Sequence, residues 1–156
     1  MNQTINPNDY NLPDDYFFVA ESWGRRFYKV YFENTDIFSS YAHPYGARYN
    51  DAITQCESDG AFLVIPRSKA ENDYIGDLIP KEDIWIGIND IDHEGVFVGV
   101  DGSDITYTKW DSSEPNNVNN EDAVLIQKWN KNWADYSVNM KQPFVCSLRI
   151  QGMFIK

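Results

Sequence analysis

The first third of the chain alternates polar stretches with one apolar run. Residues 26–32 are aromatic and β-branched, which predicts a strand. Residues 1–15 are polar and show no hydrophobic period, so they predict a loose lead-in. Residues 33–48 combine Asn, Asp, Ser, Pro and Gly, a composition that predicts a long loop.

Two helices follow. Residues 49–56 place apolar side chains at helical spacing, and Gly60 just beyond predicts the C-terminal cap. Ser68 and Glu71 have the spacing of a capping box, in which the serine accepts from the third backbone amide and the glutamate reaches back. Pro80 predicts the end of the second helix.

The second half of the chain consists of short apolar runs and long polar loops. Residues 111–122 contain no aliphatic side chain except Val118 and predict a loop. Four runs predict strands, at residues 85–88, 96–100, 123–126 and 143–146. Helices followed by strands predict an α+β class, and 156 residues without an internal repeat or linker predict one domain.

The charge of the chain limits the classes of partner that it is expected to bind. A formal net charge of -11 argues against nucleic acid and anionic membranes, because both repel an acidic surface, whereas it suits cations. No run approaches the length of apolar sequence that spans a membrane, so membrane insertion is not expected. The polar opening lacks the pattern of a signal peptide and is interpreted as the start of a mature form with an added Met.

Glu114-Pro115-Asn116 is the first candidate for chemistry. If the bond before the proline is cis, both flanking side chains turn to one side and offer oxygens to one ion. Glu121, Asp122 and Asp135 follow. Oxygen donors without histidine or cysteine suit Ca²⁺, with Mg²⁺ as an alternative that usually keeps several waters. Composition alone also leaves open a solvated acidic loop.

A second acidic stretch covers residues 90–95. Its acids at alternate positions and Gly95 resemble the start of an EF-hand loop. Position 12 would be Asp101, where a glutamate is expected, and the flanks are strand-like where an EF-hand needs helices. We therefore reject an EF-hand and retain this stretch as a loop that could supply ligands to calcium.

These residues in their order resemble the C-type lectin-like family over roughly residues 16–150, which leaves residues 1–15 as the lead-in and 151–156 as a tail. The matching positions are Cys56, Trp85-Ile86-Gly87-Ile88, Glu94-Gly95, Asp101-Gly102, Trp110, Glu114-Pro115-Asn116, Glu121-Asp122, Trp133-Ala134-Asp135 and Cys146. The resemblance implies two helices with antiparallel sheets and a long calcium-binding loop. It also implies a disulfide between Cys56 and Cys146.

The resemblance implies two calcium sites. The primary site also contacts the sugar, and its implied ligands are Glu114, Asn116, Glu121 and Asp135. The auxiliary site has the implied ligands Asp90, Glu94, Asn117 and Asp122, with Glu121 as a shared candidate. Val118 and Tyr136 flank the primary site and are further candidates for contact with a sugar. In this family Glu-Pro-Asn accompanies mannose-type sugars, including fucose, that bind through vicinal hydroxyls.

The chain departs from the family pattern at two places. Ala134 stands where the family has an asparagine ligand, so one ligand is lost unless water, Asn130 or Asn132 replaces it. Ala123 and Val138 stand where the family has its second disulfide, and two small apolar residues predict packing in place of that bridge.

The leading hypothesis is a secreted, calcium-dependent lectin for terminal mannose- or fucose-type glycans. Single-site affinity for sugars is expected to be weak, which favours clustering or homo-oligomers. The alternative is a domain of the same fold that binds a protein, mineral or ice surface with calcium as a scaffold. No nucleophile–base pair or phosphate-binding loop is visible, so an enzyme is not expected.

Overall fold

The structure, a computed structural model, describes residues 15–31, 46–117 and 120–148. Most of the lead-in, most of the loop predicted at 33–48, Val118 and the tail lie outside the described residues. The helices are α1 (Tyr49–Ser58) and α2 (Lys69–Leu78). The strands are β1 (Phe17–Glu21), β2 (Gly24–Tyr31), β3 (Phe62–Leu63), β4 (Ile84–Asn89), β5 (Val98–Gly99), β6 (Ala123–Ile126), β7 (Trp133–Tyr136) and β8 (Phe144–Leu148). This α+β content confirms the predicted class.

These strands form one sheet in the order β1-β2-β8-β4-β6-β7, with β3 beside β8 and β5 beside β4. Most pairs are antiparallel, and β4 pairs with β8 in parallel. The sheet carries the N-terminal hairpin at one end and the β6–β7 hairpin at the other. β7 was not among the predicted strands, and it holds Asp135 beside Val124 of β6.

Each face of the central sheet is covered by one helix. Ile84, Ile86 and Ile88 pack in a core cluster with Ile75 of α2. Trp85, between them, packs in a second cluster with α1. Because successive strand residues point to opposite faces, a strand covered on both sides is apolar at every position. This is why residues 84–88 read as a continuous apolar run.

Local signals place the ends of both helices. Gly60 has a left-handed φ of +75°, and the next amide, of Ala61, donates to the Cys56 carbonyl at 2.9 Å. This confirms the predicted glycine cap. At α2 the Ser68 hydroxyl accepts from the Glu71 amide at 3.1 Å, as a capping box requires.

The Glu71 carboxylate, which a capping box directs back to the Ser68 amide, contacts other groups. The Glu71 carboxylate accepts from the amide of Arg67, one residue before the cap, and from the buried Tyr28 hydroxyl at 2.6 Å. Tyr28 lies on β2, so the strand competes for a carboxylate that local sequence assigns to the helix terminus.

A disulfide between Cys56 and Cys146 joins α1 to β8. Both half-cystines are fully buried, in the core cluster that faces α1. Ala123 lies in the same cluster and Val138 packs against it. Apolar packing therefore occupies the positions of the missing second bridge, as predicted.

The strand predicted at residues 96–100 is shorter than expected. Only Val98 and Gly99 pair with β4, and the Val96 amide donates to the His93 carbonyl in a turn. Both valines are exposed, so their apolar side chains do not contribute to the core.

Among the described residues, no helix has the length and apolar content to cross a bilayer.

Candidate functional site

Three segments meet at one edge of the sheet. β4 ends at Asn89, which pairs with Ala123 at the start of β6, and the Asp90 amide donates to the Asp122 carbonyl at 3.0 Å. β7 brings Asp135 to the same edge. The polar loop that begins at residue 111 passes over this edge, so acids far apart in sequence become neighbours.

Glu114, Asn116 and Asp135 make up what we name the first acidic group. The bond between Glu114 and Pro115 is cis, the isomer that lets both flanking side chains turn to one side. The Asn116 side-chain amide donates to the Glu114 carboxylate at 2.8 Å. The carboxylate of Asp135, only 1% exposed, accepts from the backbone amides of Asn116 and Asn117 at 3.0 and 2.8 Å. Asp135 therefore ties the loop to β7.

Negative charge is concentrated in this group. One carboxylate oxygen of Glu114, Oε2, is buried without a hydrogen-bond partner among the described residues. Burial, with the neighbouring Asp135 and then Glu121, raises the pKa of Glu114 to about 7. A buried carboxylate with an unpaired oxygen is costly unless a proton or a cation compensates it. The donors are all hard oxygens, which fits calcium.

Asp90, Glu94 and Asp122 make up the second acidic group. Each offers a carboxylate oxygen, and these atoms all lie within 4.8 Å of one another. One oxygen of Asp90 accepts from the Gly95 amide at 2.8 Å, while the other and Oδ1 of Asp122 are buried without a partner among the described residues. Burial and the neighbouring carboxylates raise the pKa values of Asp90 and Glu94. This arrangement also fits a cation bound through oxygen.

The structure brings most of the predicted ligands together. Glu114, Asn116 and Asp135 meet in the first group, and the charge of Glu121 is close enough to raise the pKa of Glu114. Of the four predicted auxiliary ligands, three form the second group. Asn117 is held instead through its backbone amide by Asp135, and it has a left-handed φ of 51°.

Two residues suggested as replacements for the missing ligand at Ala134 are engaged elsewhere. The side-chain amides of Asn130 and Asn132 donate to Asp111 at 3.1 and 2.9 Å. Ala134 itself is fully buried, opposite Leu125 in the core cluster that faces α1. Asp111, which sequence reasoning did not single out, therefore anchors the start of the loop to Asn130 and Asn132.

Three carboxyl groups with raised pKa values make the metal-free domain sensitive to pH. Because folding raises the pKa of Glu114 from 4.5 to about 7, the folded state binds more protons between these values, and its stability falls as the pH rises. Asp90 and Glu94 shift in the same direction. In EDTA we expect the melting temperature to decrease between about pH 5 and pH 8.

The Glu114→Gln variant is the matched test of this expectation, because it keeps the shape of the side chain and removes the titrating group. Its melting temperature in EDTA should depend less on pH than that of the wild type. An increase in wild-type melting temperature across the same interval would contradict the assignment.

Comparisons with known proteins agree with this fold. The family model described as "Lectin C-type domain" matches residues 45–148. Lectin BRA-3 of Megabalanus rosa is 34% identical over 116 residues, which cover 72% of either chain. The mannose-binding protein of Gallus gallus is 41% identical over 95 residues, 60% of this chain and 37% of that protein. The crystal structure of the C-type lectin CEL-I from Cucumaria echinata superposes with a TM-score of 0.73 at 27% identity, covering 89% of this chain and 98% of that one.

Proposed function

The chain belongs to the C-type lectin domain family as a carbohydrate-recognition domain and not an enzyme, and from this membership we propose that it binds mannose- or fucose-type sugars through calcium. The observation that carries the proposal is the first acidic group. There one buried carboxylate oxygen of Glu114 has no partner among the described residues, the other accepts from the Asn116 amide, and the buried Asp135 is a neighbouring charge.

Glu114, Asn116, Glu121 and Asp135 would hold the primary calcium ion. A bound ion supplies positive charge to three carboxylates that otherwise repel one another, and it offers coordination positions to two vicinal hydroxyls of a sugar. Asp90, Glu94 and Asp122 would hold an auxiliary ion, with Asn117 as the fourth candidate ligand. The buried oxygens of Asp90 and Asp122 that have no partner within the described part of the chain support this assignment.

The side chains of Glu114 and Asn116 would also orient the sugar. A carboxylate accepts a hydrogen bond from a hydroxyl, whereas an amide nitrogen donates one to a hydroxyl oxygen. The pair therefore favours a sugar with one hydroxyl that donates to Glu114 and one that accepts from Asn116. The order Glu-Pro-Asn is the family pattern that accompanies mannose-type sugars. Similarity to a mannose-binding protein supports the same choice.

Ala134 sets the expected strength of binding. It supplies no side-chain oxygen, and the side-chain amides of the neighbouring Asn130 and Asn132 donate to Asp111. A hydrogen bond to a charged group contributes about 1.5–3 kcal/mol, so the loss of this ligand corresponds to about tenfold or more in affinity. We therefore expect weak single-site binding that clustering or homo-oligomers would strengthen.

The domain is proposed to extend over residues 16–150 and to act outside the cell. β1 and β2 pair with the central sheet through β8, which supports a start before the region that the family model matches. The disulfide between α1 and β8 supports an oxidising compartment.

Isothermal titration of mannose, fucose and galactose tests the proposal. With excess calcium we expect heat from mannose or fucose at millimolar affinity, less from galactose, and none from any sugar in EDTA. The Glu114→Gln variant, which keeps the shape of the side chain and one oxygen but loses the carboxylate charge, should bind calcium and these sugars more weakly than the wild type. Calcium binding without sugar heat would leave the ion as a scaffold for a protein, mineral or ice partner.

A further inference from the structure

Asn72 is a fully buried polar side chain on α2. Its carbonyl oxygen accepts from the indole nitrogen of Trp133 at 2.7 Å. Its amide nitrogen donates to the Lys131 carbonyl at 2.8 Å. One side chain thus holds Lys131 in the β6–β7 connection and Trp133 at the start of β7, on either side of Asn132.

The first of these contacts leads to Asp135. Trp133 is fully buried, lies on β7 and packs edge-on against Trp110 with ring centroids 5.8 Å apart. Asp135 follows two residues later on the same strand, and alternate strand residues share a face. The position of the Trp133 side chain therefore sets the position from which the Asp135 carboxylate meets the loop.

The second contact leads to the loop itself. Lys131 has a left-handed φ of 61°, an uncommon conformation for a lysine, and Asn72 holds its carbonyl. The turn that Lys131 completes presents Asn130 and Asn132 to Asp111. The Asp111 carbonyl in turn accepts from the Glu114 amide at 3.0 Å.

Both routes end in the first acidic group, one at Asp135 and the other at Glu114. We propose that Asn72 is a positioning residue that, from α2, holds the loop half and the strand half of this group in register. Its effect on calcium and sugar affinity rests on the proposed function, whereas its effect on the loop does not.

The closing experiment compares Asn72→Leu with Glu71→Gln. Leucine is close in size to asparagine and removes both hydrogen bonds. Glu71 is the adjacent buried residue on α2, and its bonds go to Tyr28 and Arg67, away from β7. Glu71→Gln therefore controls for a general weakening of the helix.

The first readout is hydrogen exchange of the Asn116 and Asn117 amides in EDTA, since Asp135 accepts from both. In Asn72→Leu we expect exchange at these amides about tenfold faster than in wild type, as expected for a local opening that costs less. In Glu71→Gln their exchange should stay unchanged. Equal exchange in both variants would overturn the proposal.

The second readout is calcium affinity, which should fall about tenfold in Asn72→Leu and remain that of wild type in Glu71→Gln. A wild type that binds neither calcium nor sugar contradicts the proposed function, and the exchange readout still decides the role of Asn72. If Asn72→Leu does not fold, Trp133→Phe removes the hydrogen bond between Asn72 and Trp133 from the other end and leaves the Lys131 contact in place. Exchange of the Asn116 and Asn117 amides at the wild-type rate in Trp133→Phe would then overturn the proposal. If both variants fold, the loss in the double variant should be smaller than the sum of the losses in the single variants.

Discussion

The Asp135→Asn variant is expected to lose sugar binding and to bind calcium about 100-fold more weakly than the wild type. A hydrogen bond or ligand contact to a charged group contributes up to about 3 kcal/mol, which corresponds to roughly that factor. Asp135 combines the two roles in one buried carboxylate, because it is a proposed calcium ligand and it accepts from two loop amides. An asparagine offers one acceptor and directs its own N–H groups at the other amide, so the loop loses an anchor.

Calcium titration calorimetry measures this effect, and Asp92→Asn is the matched control. Asp92 lies on the exposed loop of the second acidic group without belonging to it, and the substitution changes the net charge by the same amount. Since exposed charges are screened, we expect calcium affinity within about twofold of wild type. Wild-type affinities for calcium and mannose in Asp135→Asn would refute the proposed role of this residue.

The Cys56→Ala, Cys146→Ala double variant is expected to lose about 4–5 kcal/mol of unfolding free energy in EDTA. The bridge spans 90 residues, and the chain-entropy account predicts a large effect for a loop of this length because the bridge restricts the unfolded chain. Small domains unfold with about 5–15 kcal/mol, so the loss is a large share of the total. Guanidinium denaturation followed by fluorescence of the five tryptophans measures it.

Wild-type protein that has been unfolded and refolded in a thiol reductant is the control, because it keeps both sulfur atoms and lacks only the bridge. Its unfolding free energy should be close to that of the double variant. Calcium should raise the stability of all three samples by mass action, as for any ligand that binds only the folded state. A double variant within about 1 kcal/mol of oxidised wild type would show that packing around α1 and β8, not the bridge, holds these elements together.

Local signals predicted the two helices well. These signals are the glycine after α1, the serine before α2 and the proline after α2. Each acts through a geometry that depends on a few neighbouring residues. Strands were predicted less completely. β1, which begins with the apolar run Phe17-Phe18-Val19-Ala20, and β7 were not predicted, and their pairing with β2 and β6 identifies them as strands. β5 shows the opposite case, because the apolar run at residues 96–100 formed a strand of only two residues, with Val96 and Val98 exposed.

The ordered motifs of the sequence determined the fold, the disulfide partners and the set of acids that meet at the edge of the sheet. These residues are numerous and their order is specific, so resemblance to a family could identify them. The tertiary structure alone decided which atoms are paired and which are left without a partner. Asp135 meets Asn116 across 19 residues, and Asn72 meets Trp133 across 61. No local period encodes contacts at such separations, because they depend on where the chain places each strand and loop after folding.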